Sequence, residues 1–269
     1  MAALDAVLWD VDGTLAETER DGHRVAFNLA FASAGLAWRW DEMRYGELLE
    51  VTGGRERLLH DMATRADEPT DPLGREALAR RIHATKNTLY AGLVQDGRIP
   101  LRPGVLDLLE QCRTRGVALG IATTTSRTNV ASLLGVQFGR DWADRFSTLV
   151  CGEDVERKKP DPAVYVEALR RLRVEAHRAL AIEDSPAGVA AARAAGVPVI
   201  VTRSTYFADA PIDGALAIGP GLHTSHGWHP AVPEASGGDR SIGLDDLMHW
   251  HAHWHASSAS QTPFLQESH

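Results

Sequence analysis

Cysteine is nearly missing from this chain. Its two residues, Cys112 and Cys151, have no metal-type spacing and cannot build a disulfide framework, which fits a reducing cytosol. Long apolar runs are missing too, since none approaches the roughly 18–20 residues that span a bilayer. Asp5, Asp10 and Asp12 crowd the N-terminal apolar segment, so it does not read as a signal peptide. Nor is there an excess of basic charge. The formal net charge is -8, whereas a nucleic-acid binder would carry a broad basic face. No internal repeat is visible. These absences lead us to expect a soluble, cytoplasmic, acidic monomer that binds neither nucleic acid nor membrane. If its substrate is anionic, a metal ion or a few placed basic groups must capture it. What is present is ordinary globular composition, 44% apolar and 24% charged over 269 residues. That suffices for one large domain or two modest ones.

The apolar run Ala6-Val7-Leu8-Trp9 stops at Asp10-Val11-Asp12-Gly13-Thr14. Such a run reads as a buried parallel strand, and Gly13 frees the backbone for a tight turn. Two carboxylates are thereby presented at a strand's carboxyl end, where open α/β sheets bind ligands. Taken alone, the pentapeptide reads equally well as an acidic turn. Helical spacing then predicts helices over 21–34, 40–51, 55–62 and 75–94, with a loop at 67–72. From Arg102-Pro103-Gly104 onward, strands over 117–122, 147–151, 179–182 and 197–201 alternate with helices over 105–115, from 129, from Asp161-Pro162 and over 187–195. This rhythm predicts an α/β fold, a Rossmann-like parallel sheet with right-handed crossovers. Residues 1–15 and 96–222 are assigned to that core and 16–95 to an inserted helical cap. Residues 223–269 form a His-rich extension with a loose stretch over 220–238, a short helix over 242–255 and a disordered tail from Ala256.

Four strand ends carry chemistry. Besides Asp10 and Asp12, the second strand is followed by Thr123, Thr124, Thr125 and Ser126, hydroxyls at a helix N-terminus that suit a phosphate. The third is followed by Lys158-Lys159-Pro160, the only adjacent lysine pair, and the fourth by Glu183-Asp184-Ser185. Singly, a lysine pair is usually a solvated face and an acidic Ser turn a helix cap. Together, in order at successive strand ends, they suit phosphoryl transfer. Carboxylates and a backbone carbonyl make a hard oxygen site for Mg²⁺. An ammonium and a hydroxyl neutralise phosphate oxygens, one carboxylate attacks phosphorus, and a second moves the leaving group's proton.

Asp10-x-Asp12-Gly13-Thr14, Thr123, Lys159-Pro160 and Glu183-Asp184 resemble the four motifs of the haloacid dehalogenase superfamily, over residues 4 to about 205. The helical insert after the first motif resembles the subfamily closed by a small helical-bundle cap. The resemblance implies Asp10 as nucleophile, Asp12 as general acid/base, and Thr123 and Lys159 as holders of the phosphoryl group. It implies Mg²⁺ bound by the Asp10 side chain, the Asp12 carbonyl and Asp184, with Glu183 close by. The dehalogenase branch lacks the second aspartate, and the phosphonate-cleaving branch uses a cap lysine. Here Asp12 is present, and the one cap lysine, Lys86, shows no sign of facing the site, so phosphate-ester chemistry is expected.

Thr52-Gly53-Gly54-Arg55-Glu56-Arg57 lies between two cap helices, where exposed backbone and arginines can grip phosphate. A helix-breaking turn with a solvated Arg-Glu-Arg face is the plainer reading. The stretch resembles the specificity loop of β-phosphoglucomutase relatives, which implies that Arg55 and Arg57 hold a second phosphate, partnered by Thr125, Ser126 and Asn129. Glu17 and His23 resemble cap-hinge residues that meet substrate, although Asp10 and His23 stand one residue farther apart than in the mutases. The longer strings 8–19 and 123–126 are most similar to CbbY-type phosphatases, which implies a sugar bisphosphate substrate, xylulose-1,5-bisphosphate, in a Calvin-cycle setting. A phosphomutase is the second reading. A third comes from the tail, where His249, His251, His253 and His255 alternate with Trp250, Ala252 and Trp254. His251 and His255 share a helix face, which would suit a metal- or partner-binding module with a vestigial site. Tryptophans covering the sheet edge are the plainer explanation.

Overall fold

The computed structural model describes residues 3–65, 71–232 and 238–259. Its sheet starts at β1 (Ala6–Trp9), whose four residues are all fully buried. A run this apolar on both faces is stable only between two covering layers. β2 (Ala118–Ala122), β3 (Thr148–Val150), β4 (Ala179–Glu183), β5 (Val199–Thr202) and β6 (Ala217–Gly219) complete it. The strands are all parallel, in the order β3-β2-β1-β4-β5-β6. In this register Leu8 lies opposite Gly120 and Ala181. A Cβ on Gly120 would come within 2.7 Å of Leu8 Cδ2, so the missing side chain makes room for the central strand. With β1 in the middle, the carboxyl ends of β2 and β4 flank its own.

Helices α5 (Val105–Thr114), α6 (Arg127–Phe138), α7 (Ala163–Leu172) and α8 (Pro186–Ala194) cross over between strands. α6 and α8 begin two and one residues before the expected 129 and 187, and three of the four starts have a side chain that accepts from the first turn. Ser126 accepts from the Asn129 amide and Ser185 from the Gly188 amide. Asp161 accepts from the Ala163 amide, with α7 beginning one residue after the expected Pro162. β6 was not expected, because three residues carry too little periodicity to read. Among the described residues no helix is long and apolar enough to cross a membrane.

The chain leaves and re-enters the sheet layer through paired connections, Ala16 bridging Leu101 and the Arg102 amide donating to Leu15 O. Between them lie α1 (Arg24–Ser33), α2 (Glu42–Leu48), α3 (Gly54–Met62) and α4 (Pro72–Gln95). They pack around Phe27, Phe31, Trp38, Trp40, Tyr45, Leu58, Met62 and Ile82. Asp61 is buried there with its charge fully partnered, accepting from Trp40 Nε1 (2.8 Å), Arg44 Nη2 (2.7 Å) and Arg65 Nε (2.8 Å). The helix expected over 21–34 begins instead with a π turn, Glu19–His23. A π turn holds about one residue more than an α turn.

Within the stretch expected to be loose, Leu222 and Trp228 are part of the core, and residues 233–237 lie outside the described residues. His229 pairs antiparallel with Ile218, and α9 (Leu244–Ala259) runs beyond the expected start of a tail at Ala256. Residues 260–269 of that tail lie outside the described residues. Trp228 and Trp250, both nearly buried, stack with centroids 4.9 Å apart, and Ile242, Leu244 and Leu247 join the same cluster. The Gly, Pro and His residues around Trp228 conceal this from a periodicity reading. Trp228→Ala should therefore destabilise the protein by about 3–5 kcal/mol, read as a lower urea midpoint. A change under about 0.5 kcal/mol would mean the extension is dispensable.

Candidate active site

Asp10 follows β1 directly, its amide donating to Ile182 O (3.1 Å). Gly13 turns the chain with φ 88°, and a Cβ there would lie 2.0 Å from Asp184 Oδ2. The turn therefore draws the first and last acidic motifs together. Lys159 reaches in from the loop after β3. Its Nζ lies 2.6 Å from Asp10 Oδ1 and 2.6 Å from Glu183 Oε1, and all three residues are buried. Tyr165 on α7 donates its hydroxyl to the same Glu183 oxygen. Tyr165 is not among the candidate residues that the sequence pattern offered.

Asp10, Glu183 and Asp184 offer carboxylate oxygens within 4.8 Å of one another. One ammonium cannot balance three buried carboxylates. Burial raises the Asp10 carboxyl to about 7 against the pull of Lys159. Burial, with the Asp10 and Glu183 charges, pushes Asp184 well above the usual carboxylate range. Lys159 is lowered by burial but raised more by its two carboxylate partners, and stays charged. Glu183 Oε2 is buried without a hydrogen-bond partner. Excess negative charge, hard oxygen donors and an unpartnered buried oxygen all fit Mg²⁺.

The Asp12 side chain is not one of that trio. Its Oδ1 accepts from Thr18 Oγ1 (2.5 Å) and lies 3.0 Å from His23 Nε2. Burial would raise Asp12, but His23, the Thr18 hydroxyl and the Lys86 charge outweigh it and hold the carboxyl low. Lys86 corrects our expectation. It is buried in the cap, its ammonium over the rings of Phe27 (5.2 Å) and Tyr90 (5.3 Å), and it lines the catalytic cavity. Burial lowers it to about 8. A signal was there to read: Lys86 sits in the buried stripe Ala79, Ile82, Lys86, Tyr90, Leu93 of α4.

The cavity, about 850 Å³, runs between sheet edge and cap and is lined by Asp10, Asp12 and Lys159 at the sheet edge and by His23 from the π turn that opens the cap. All three of the chain's lysines line it. Thr125, Ser126 and Asn129 line it as well, and the buried Asn129 Oδ1 has no hydrogen-bond partner among the described residues. Thr123 is buried, its Oγ1 accepting from the Thr125 amide (3.3 Å). The two cap arginines part company. Arg57 is buried and donates to Tyr45 Oη (2.7 Å), Leu48 O (3.1 Å) and Glu19 Oε2 (3.4 Å), so its donors are used inside the cap. The Arg55 side chain is 43% exposed and pairs with Glu76 (3.1 Å) and Glu56 (3.8 Å). Glu17 does not line the cavity. It lies between Arg102 Nε (3.6 Å) and the Thr205 amide (3.3 Å). Lys158 Nζ joins the sheet edge to the cap loop through Glu56 Oε1 (2.9 Å).

A parallel α/β core covered by a helical insert, with a buried carboxylate beside an ammonium and an acidic cluster at its strand ends, has the frame of a phosphoryl-transfer hydrolase. The chain belongs to the haloacid dehalogenase-like hydrolases, whose family model matches residues 4–196. It is a CbbY-like phosphatase, a phosphoric monoester hydrolase. Protein CbbY, plasmid, of Cupriavidus necator is 42% identical over 252 residues, 92% of this chain and 97% of that protein. The crystal structure of CbbY from Rhodobacter sphaeroides with phosphate matches with a TM-score of 0.74 and 41% identity, over 79% of this chain and 92% of that one. A mutant of the same protein was crystallised with xylulose-1,5-bisphosphate. The phosphoglycolate phosphatase of Rhodospirillum rubrum is 33% identical over 241 residues, 87% of this chain and 94% of that protein.

Proposed function

We propose that the chain is a Mg²⁺-dependent phosphatase that acts through an aspartyl-phosphate on a small sugar bisphosphate, xylulose-1,5-bisphosphate foremost. The observation that carries this reading is one cavity with the Asp10–Lys159 pair at the sheet edge and Arg55 on the cap loop. Its volume suits a five-carbon sugar with two phosphates, and the bound sugar bisphosphate in the CbbY complex supports it.

Asp10 attacks phosphorus and the sugar oxygen leaves. Lys159 keeps Asp10 ionised and faces the phosphoryl oxygens, with Thr123 as a hydroxyl beside them. Asp10, Glu183, Asp184 and the Asp12 carbonyl would hold Mg²⁺, which when bound supplies positive charge against the developing charge on phosphate. Asp12 donates a proton to the leaving oxygen, then takes one from the water that hydrolyses the phosphoaspartate. The phosphate's own negative charge raises the Asp12 carboxyl toward its acidic role when substrate arrives. Lys86 and His23 meet sugar hydroxyls, and Arg55, with Thr125, Ser126 and Asn129 as its core-side partners, meets the second phosphate.

Arg55→Ala should raise KM for xylulose-1,5-bisphosphate about 10–100-fold, the value of a charged hydrogen bond to phosphate, with kcat little changed. KM for a simple monophosphate ester should stay the same. Free phosphate without an isomeric sugar phosphate is expected, and an isomeric product would favour the mutase reading instead. Turnover of monophosphate esters with none of the bisphosphate would leave the chemistry standing and remove the substrate.

A further inference from the structure

Two of the three lysines that line the cavity have tasks in the chemistry, and Lys158 has none. Its ammonium lies 2.9 Å from Glu56 Oε1, and Arg55 Nη2 lies 3.8 Å from the same oxygen. One cation comes from the core loop that carries Lys159, the other from the first turn of α3 in the cap. Arg55 is steadied from the other side, its Nη1 donating to Glu76 Oε1 (3.1 Å). The Glu56 carboxylate between the two cations is ionised. Burial would raise it, but the Lys158 hydrogen bond, its own backbone amide and the charges of Lys158 and Arg55 hold it below its usual value. Its second oxygen, Oε2, is buried without a hydrogen-bond partner among the described residues. Lys158 Nζ would stand 2.7 Å from a Cβ on Gly53, and Glu56 Oε2 closer still, so the bare Gly53 backbone leaves the space that both fill. A negative group is thus held at the start of α3 by one cation from each side of the cavity, and half of it is poorly satisfied. A phosphate suits that place better than a carboxylate, with more charge and more oxygens to share between two cations.

We propose, on the basis of the sugar bisphosphate reading, that Glu56 is an internal anion filling the seat of the second phosphate. Lys158 is then a specificity residue that passes from Glu56 to that phosphate when substrate enters. The Glu56 carboxylate turns out to solvent, and Lys158 and Arg55 exchange one negative charge for nearly two. No covalent bond is made or broken. The exchange sets specificity by a penalty as well as an attraction. A sugar whose second group is neutral must break the Lys158–Glu56 pair without replacing it, whereas a second phosphate replaces it with a stronger one. The pair also joins core to cap across 102 positions of sequence. After the exchange the same two surfaces are joined through the substrate, with Lys158 on one side of the phosphate and Arg55 on the other.

The test measures binding of xylulose-1,5-bisphosphate by calorimetry in Mg²⁺, with Asp10→Asn as the parent so that nothing turns over. Adding Glu56→Gln should tighten binding about 2–5-fold, the worth of a partly exposed ion pair that no longer has to be broken. Adding Lys158→Gln instead should weaken it about 10-fold or more, the loss of a charged hydrogen bond. Opposite signs are the signature, since two residues that only hold core to cap as an ion pair would weaken binding together. Both variants should keep the parent's urea midpoint, because the paired side chains are 25% and 36% exposed. Glu156→Gln removes another charge that lines the cavity and should shift binding by less than about 1.5-fold. Shifts of the same sign, no shift in either variant, or an equal gain from Glu156→Gln would overturn the exchange. The second-phosphate reading would still stand if Arg55→Ala weakened binding in that case. No binding to the parent, in a protein whose wild type hydrolyses monophosphate esters, would overturn both.

Discussion

Asp10→Asn is expected to lower phosphate release at least about 10⁴-fold, the scale seen when a covalent nucleophile is removed. Asparagine has nearly the same shape and can still accept from Lys159, but its amide oxygen does not form a phosphoanhydride. Binding should survive, because the remaining groups that line the cavity are untouched. The fold should survive as well, because the substitution removes one of three crowded buried carboxylates. Its effect on stability has a definite sign in metal-free protein. Folding raises the Asp10 carboxyl from 3.8 to about 7, so the native state holds an extra proton between those values. Wild-type stability therefore falls as pH rises through that window. The asparagine side chain does not titrate, so thermal melts of the variant in EDTA should lose that part of the decline. Bisphosphatase activity within about tenfold of wild type would remove Asp10 from the chemistry.

The strands and their catalytic ends were legible for a physical reason. A strand buried on both faces must be a nearly uninterrupted apolar run, so Ala6–Trp9 and residues 179–182 announce where they stop, and the polar residues that follow stand out, although Glu183 proves to be the last residue of β4. The order of those ends in space follows from right-handed crossovers, which bring Lys159 to Asp10 across 149 positions of sequence. Direction within a helix is harder to read. Lys86 and Arg57 are both buried cations that line the cavity, but the Lys86 ammonium stands over two aromatic rings near Asp12, whereas the Arg57 donors are taken by Tyr45, Glu19 and a backbone carbonyl. Neither composition nor local spacing separates them, since tertiary partners decide. The same holds for Trp228, whose ring finds Trp250 much later in the chain, on a helix that propensity alone would not place.

Lys159→Met should be the most damaging change that leaves every carboxylate in place. Lys159 makes 2.6 Å contacts with both Asp10 and Glu183 at 4% side-chain exposure, so its loss leaves two buried negative charges without their cation. Breaking such a pair from one side costs about 3–5 kcal/mol, measured as a lower urea midpoint. The carboxylates will respond by taking up protons. Asp10, already raised to about 7 with the ammonium beside it, should rise further and remain protonated where wild type is ionised. A protonated nucleophile does not attack, and the phosphoryl oxygens also lose a donor, so kcat should fall about 10³-fold near neutral pH. The pH profile separates these causes. If Lys159 keeps Asp10 ionised, the residual rate of the variant climbs with pH beyond the point where the wild-type rate has levelled. If the ammonium acts only on the phosphoryl group, both profiles level at the same pH and the deficit is constant. A stability loss with neither a kcat deficit nor a displaced profile would make Lys159 a structural cation and leave the acidic cluster to depend on its metal alone.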